Sequence, residues 1–149
     1  MTGYRFTYSS YDMMTTDTYG LRTLAGGVDG QFVTSPATEP TATMLLVHER
    51  LTQAAAASVV QADKADRDGA RLFTEVSFME TPETDRDPMV AQIQALHWRL
   101  FGDRVDADGQ EVEANIELWT ELYEAEGSTS AAWAGLLSVL LRDPDFLYY

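Results

Sequence analysis

The chain has 149 residues, a length that builds one domain with a sizeable core; its 45% hydrophobic and 11% aromatic content is that of a globular protein, which excludes global disorder. The formal net charge is −14, from 24 acidic against 10 basic residues, and such a surface repels phosphate backbones and anionic lipid, so nucleic-acid and membrane-surface binding are not expected. There is no cysteine, so a disulfide, a thiolate metal site, a cysteine nucleophile and covalent c-type haem attachment are all excluded within this chain.

Lys64 is the only lysine, and an acidic, lysine-poor chain suits high salt, where screening relieves self-repulsion. Residues 1–11 are polar and aromatic, without the apolar stretch of a signal peptide, and no run reaches the ~18 apolar residues of a spanning helix. Membrane insertion is therefore not expected.

Tyr4, Phe6 and Tyr8 alternate with Arg5 and Thr7, the period-2 pattern of a short strand. Ser9, Ser10 and Asp12 are capping residues, predicting a helix over 12–24 with Met14, Leu21 and Leu24 on one face and Gly20 as its weak point. The glycine-rich turn 26–30 follows, then an extended piece over 31–34, which would make a two-stranded ribbon around one helix. A long helix is expected over 38–65, capped by Thr38 with Pro40 in its first turn. Its stripe is Met44, His48, Leu51, Ala55, Ser58 and Ala62, widened by Leu45, Leu46 and Val59. The charged stretch 63–69 ends it. Leu72, Phe73, Val76 and Phe78 then mark either a short strand or an extended packed loop, and 81–87 a polar linker.

The last third is the most regular. Asp87-Pro88 opens a helix with Met89, Ile93, Leu96, His97 and Leu100 inward, closed by Gly102. Asp106 or Asp108 caps the next, the latter spaced to Glu111 as in a capping box, with Val112, Ile116, Trp119, Leu122 and Tyr123 inward and Gly127 as its stop. Ser128 or Ser130 caps a third helix with Trp133, Leu136, Leu137, Leu140 and Leu141 inward, stopped at Asp143-Pro144. The fold expected is mainly α, a helical bundle with a short N-terminal extended ribbon. One domain spans 1–149, with 1–80 as ribbon plus long helix and 81–149 as a three-helix antiparallel bundle.

Chemistry-bearing residues are scattered. His48 and His97 lie on apolar helical faces, which raises a haem or metal site between helices, but neither has a carboxylate at i+3 or i+4 on its face. Asp103, Asp106, Asp108 and Glu111 imitate a calcium loop; aligning Gly109 with its sixth position puts Arg104 first and Asn115 twelfth, and both ends fail. Glu75, Glu80, Glu83 and Asp85 line the least regular stretch, where a cleft between subdomains would place an acid–base pair. The glycine-rich turn is neither a P-loop nor a dinucleotide fingerprint, and no serine sits in a nucleophile elbow. Neither catalytic nor cofactor nor metal residues are assigned on these patterns. Phe146, Leu147, Tyr148 and Tyr149 follow the final helix stop as large apolar groups, and they are the candidates for contact with a partner or a second copy.

Two motifs, Arg99-Leu100-Phe101-Gly102-Asp103-Arg104-Val105 and Asp143-Pro144-Asp145-Phe146-Leu147-Tyr148, frame an acidic-Val helix and a Leu-rich helix. This arrangement over 88–149 resembles the large secreted or cell-envelope proteins of planctomycetes and myxobacteria built from domains of unknown function and often fused to c-type cytochrome domains. In that family the first turn reads Ala-Phe-Arg-Arg-Pro and the second Ser-Pro-x-Phe-Leu-Tyr, after which related proteins ordinarily continue. Val105 and Asp143 depart from the usual proline and serine while keeping a helix start and a helix stop. The resemblance implies an extracytoplasmic location, a helical module and a c-type cytochrome partner, and it carries over no catalytic residue.

Two functions are weighed. The first is a non-catalytic packing or interaction module of an envelope-associated, redox-linked system. The alternative is an enzyme, hydrolytic or oxidoreductive, with its site between the N-terminal part and the bundle or with a haem partner. The missing catalytic constellation leans away from the enzyme.

Overall fold

The computed structural model describes residues 2–8, 10–13, 15 and 19–147. In order these hold a ribbon of β1 (Thr7–Tyr8) and β2 (Tyr11–Asp12), then α1 (Leu21–Leu24), α2 (Ala42–Ala65), α3 (Arg86–Phe101), α4 (Gln110–Glu126), α5 (Thr129–Leu140) and α6 (Pro144–Leu147). The expected mainly helical bundle with a short N-terminal ribbon is what forms.

The ribbon differs from the expected one in its second strand. Thr7 pairs with Asp12 and Tyr8 with Tyr11, antiparallel, with Ser10 at the tip at φ 71°. The segment 31–34 stays out of it: the Asp29 carboxylate accepts the backbone N–H groups of Gln31, Phe32 and Val33 at 2.8–2.9 Å, turning the chain instead of extending it. Of the helix expected over 12–24, α1 is the part that forms among the described residues. Gly20 takes φ 72° at its N-cap, breaking the path that a longer helix would need. Asp12 keeps part of its expected role by accepting the Thr15 N–H at 3.2 Å, whereas Ser9 and Met14 lie outside the described residues.

Helix α2 starts later than expected. Thr41, not Thr38, is its cap, its hydroxyl accepting the Met44 N–H at 3.2 Å, and Pro40 precedes the helix. Its buried residues Thr52, Ala56, Val59, Val60 and Asp63 form a stripe turned about 100° from the expected one, while the buried Val47 lies on the other side of the helix, toward Leu51. Small side chains let α2 lie close on α5, while the half-buried Met44, His48, Leu51, Ala55 and Ser58 form a second stripe under the N-terminal segment.

Helix α5 is the centre. It packs between α2 and α4, with α3 against α4 and α6 returning to α3. Ser130, Ala132, Trp133, Leu136, Leu137, Ser138 and Leu140 are all buried along it, the near-continuous burial expected of an internal helix. Three cross-links set α2 antiparallel to α5. Glu49 pairs with Arg142 at 3.2 Å, the Thr52 and Ser138 hydroxyls meet at 3.4 Å, and Lys64 Nζ donates to Ser130 Oγ at 2.8 Å. Ser128, not Ser130, caps α5, accepting the Ala131 N–H. Neither Asp106 nor Asp108 caps α4. Gly109 is its N-cap, held by a turn in which Gly109 N–H donates to Asp106 O at 2.9 Å. Asp85 occupies the N-cap of α3 without a side-chain bond, so Asp87 and Pro88 fall inside its first turn.

The undecided stretch around Phe73 is a packed loop. Leu72, Phe73, Val76 and Phe78 are all buried, yet the backbone there pairs with side chains and not with another strand. Asp63, only 2% exposed, accepts the N–H groups of Arg71, Leu72 and Phe73 at 2.8–2.9 Å. The Arg67 guanidinium donates to the carbonyls of Asp63, Phe73 and Val76. From α3, Gln92 accepts the Glu75 N–H and donates to Leu72 O, and Arg99 donates to the carbonyls of Arg71 and Leu72. Thr129 of α5 donates to the carbonyl of Phe78, a buried residue at φ 69°. Buried backbone polar groups must be paired, and three helices together with Arg67, just past the end of α2, supply the partners. One core therefore runs from Ala56 of α2 through this loop to Leu141, crossing the 80/81 boundary that the linker suggests.

Candidate functional site

Helix α2 has 24 residues and α5 has 12. Because their antiparallel register puts Arg142, just past α5, against Glu49, the first two turns or so of α2 extend beyond the end of α5. Leu45 lies two turns before Thr52 on the same face as Thr52, Ala56, Val59 and Asp63, so it is placed like a core residue, but it is 54% exposed. Leu46 beside it is 63% exposed and Val139 of α5 is 40% exposed. With Ala42, His48, Glu49, Arg142 and Asp143 they line an open groove of about 640 Å³. Its surface is mostly apolar, from Ala42, Leu45, Leu46 and Val139, with His48, Asp143 and the paired Glu49 and Arg142 around it.

His48 borders this groove. Its Nδ1 is buried without a hydrogen-bond partner among the described residues, and burial pushes its pKa below the ordinary imidazole value. The arrangement suits an apolar side chain entering the groove; a nucleophile with an adjacent base is not assembled among the lining residues. Sequence reasoning placed Leu45 and Leu46 in the core and did not single out Val139 or Arg142. The signal available was the spacing of Leu45 to Thr52 and Ala56, read together with the shorter stripe of the partner helix.

The other candidates separate. His97 is half-buried on α3; Asn115 Nδ2 donates to its Nε2 at 3.1 Å, and its ring lies 5.5 Å from that of Phe101. Burial lowers its pKa more than the carboxylates of Glu111, Asp103 and Asp143 raise it. Among the described residues no three His, Asp or Glu side chains converge as a metal site, and the calcium-like residues do not gather around a common point. Glu80 is spent locally: its carboxylate accepts from the N–H and hydroxyl of Ser77 and the N–H of Met79. Burial acts to raise its pKa, and these bonds together outweigh that and hold it below the usual value. Glu75 accepts from the Thr74 hydroxyl. These two carboxylates do not form an acid–base pair.

Of the four contact candidates, Phe146 is half-buried against the core, and it borders a hollow of about 360 Å³ with Thr2, Gly3, Tyr4, Leu51, Thr52, Ala55 and Leu141. This is the space between the N-terminal part and the bundle, and neither a carboxylate nor a histidine is among its lining residues. Leu147 ends α6, and Tyr148 and Tyr149 lie outside the described residues. At the centre of the bundle the Trp119 and Trp133 rings meet at 5.7 Å, both fully buried, and neither indole N–H has a polar partner among the described residues. No helix among the described residues is long and apolar enough to cross a membrane. Compared with known protein families, curated proteins and solved structures, the chain matches none.

Proposed function

We propose that this chain is a non-catalytic helical interaction module that seats an apolar segment of a protein partner in the groove between the start of α2 and the end of α5. Leu45 carries the reading: a residue on the core face of a helix, left half-exposed because the neighbouring helix stops short, has the character of an unfilled packing site. The wider setting, an envelope-associated system with a c-type cytochrome partner, rests on the resemblance of the two helix-end motifs alone.

Site-specific photo-crosslinking in the source cells tests both levels. A crosslinker at position 45 or 46 is expected to give a discrete adduct that is missing when it sits at Gln61, an exposed position farther along α2. The adduct is expected to stain for covalent haem. Equal patterns from positions 46 and 61 would sink the groove as a binding site, and a discrete adduct without haem would sink the redox-linked setting.

A further inference from the structure

The core holds no residue from before Ala56, and Met13 is the one residue buried among those described ahead of α2. The N-terminal segment nevertheless lies against the bundle. Thr2, Gly3 and Tyr4 flank Leu51, Thr52 and Ala55, α1 packs on α2, and Gly26 and Ala37 enclose the end of the Met44 side chain. Backbone bonds of the segment close on the segment itself: Met13 N–H to Phe6 O at 2.9 Å, Asp29 N–H to Val33 O at 3.1 Å and Ala37 N–H to Gly26 O at 2.9 Å. Its own structure is thus internally bonded, and it meets the bundle along the outer stripe of α2, where Val47 is buried apart from the core and Met44, His48, Leu51, Ala55 and Ser58 are half-buried, with Gly3 also against the Arg71 side chain. That stripe adjoins the groove, since His48 belongs to both.

We infer that the described residues before α2 form a detachable cover: it opens from the outer stripe of α2 while the bundle stays folded, and opening extends the groove over Met44, His48, Leu51 and Ala55. Local opening below the global unfolding free energy is the expected behaviour of a segment with few buried apolar contacts. Its use in admitting a longer partner segment rests on the partner-binding reading above; the opening itself does not.

Thiol labelling of Val47→Cys in the full chain, which has no native cysteine, read across a urea series beside Val59→Cys, is the test. The thiol at 47 is expected to react through an opening with shallow urea dependence, well ahead of the thiol at 59 in the core. Gly26→Ala supplies the second measurement: Gly26 sits at φ 90°, and a Cβ there would meet Met44 Cε at 2.7 Å. Strain of this kind is expected to speed labelling at 47 by about tenfold and leave the urea midpoint of the bundle unchanged. A thiol at 47 that reacts with the same free energy and urea slope as the one at 59 would overturn the cover. So would a Gly26→Ala variant whose bundle midpoint falls in step with the segment. Because no partner enters these measurements, they fail or succeed independently of the crosslinking result.

Discussion

Asp63 is the residue on which the least regular part of the core hangs. It is buried at the end of α2 and its two oxygens take three consecutive N–H groups of a loop that has no strand to pair with. Asp63→Ala leaves those donors without partners, each worth roughly 1–3 kcal/mol when buried, and partial hydration brings the expected loss to about 3 kcal/mol. Urea denaturation of Asp63→Ala beside Asp63→Asn, which keeps one acceptor, is expected to show the larger loss for alanine. A pH dependence belongs to this scale too. Burial lowers the pKa of His97, so below the unfolded value of about 6.5 the unfolded chain binds the proton more readily. Stability is full above that pH and lost as pH falls through the folded value. His97→Gln, whose side-chain oxygen can still accept from Asn115, is expected to flatten the decline of melting temperature between pH 7 and 5. An unchanged slope would assign that decline to other groups, with His48, shifted the same way by burial, first among them.

At the scale of elements, the two capped helices differ in what their caps support. Ser128 starts α5, whose residues fill the core, so Ser128→Ala is expected to lower global stability by about 1 kcal/mol, seen as a shift of the urea midpoint. Thr41 starts the part of α2 that extends past α5. Thr41→Ala is therefore expected to speed amide exchange at 44–48 with a smaller shift of the midpoint. Helix α4 ends differently, at Gly127 with φ 65°, where any Cβ would be strained, and the chain turns there directly into Ser128. That glycine and its counterpart Gly102 were legible in the sequence, because left-handed helix ends select glycine. The start of α4 was not: Asp106 and Asp108 are good caps by type, but the turn closed by Gly109 N–H and Asp106 O puts the helix start beyond both.

For the whole molecule, charge is the dominant long-range quantity. A net charge of −14 on 149 residues disfavours the compact state through self-repulsion, and salt screens it over about 10 Å at 0.1 M. Melting temperature is expected to rise from low to molar salt. A flat or falling curve would remove salt adaptation as the explanation of the acidic, lysine-poor composition. The same scale explains why the bundle gains α2 as a full member beyond the three expected helices. Its inner face of Thr52, Ala56, Val59 and Val60 is weak in hydrophobic volume, so periodicity pointed to the side that carries the larger Met44, His48 and Leu51. The larger residues lie under the N-terminal cover, and the smaller ones meet α5, where close approach outweighs side-chain size.

Sequence by itself determined the helical class, the presence and order of α3 to α5, most of their inward residues and the glycines that end two of them, because those features are local: periodicity, capping chemistry and backbone conformational limits. Tertiary structure decided which face of α2 is the core face, which residues clamp the loop from Asp63 to Phe78, and where a groove opens. Each of these depends on the register of two helices far apart in sequence. Leu45 carries the same spacing whether its neighbour covers it or stops short, and only the packed structure, in which α5 ends opposite Glu49, leaves it exposed.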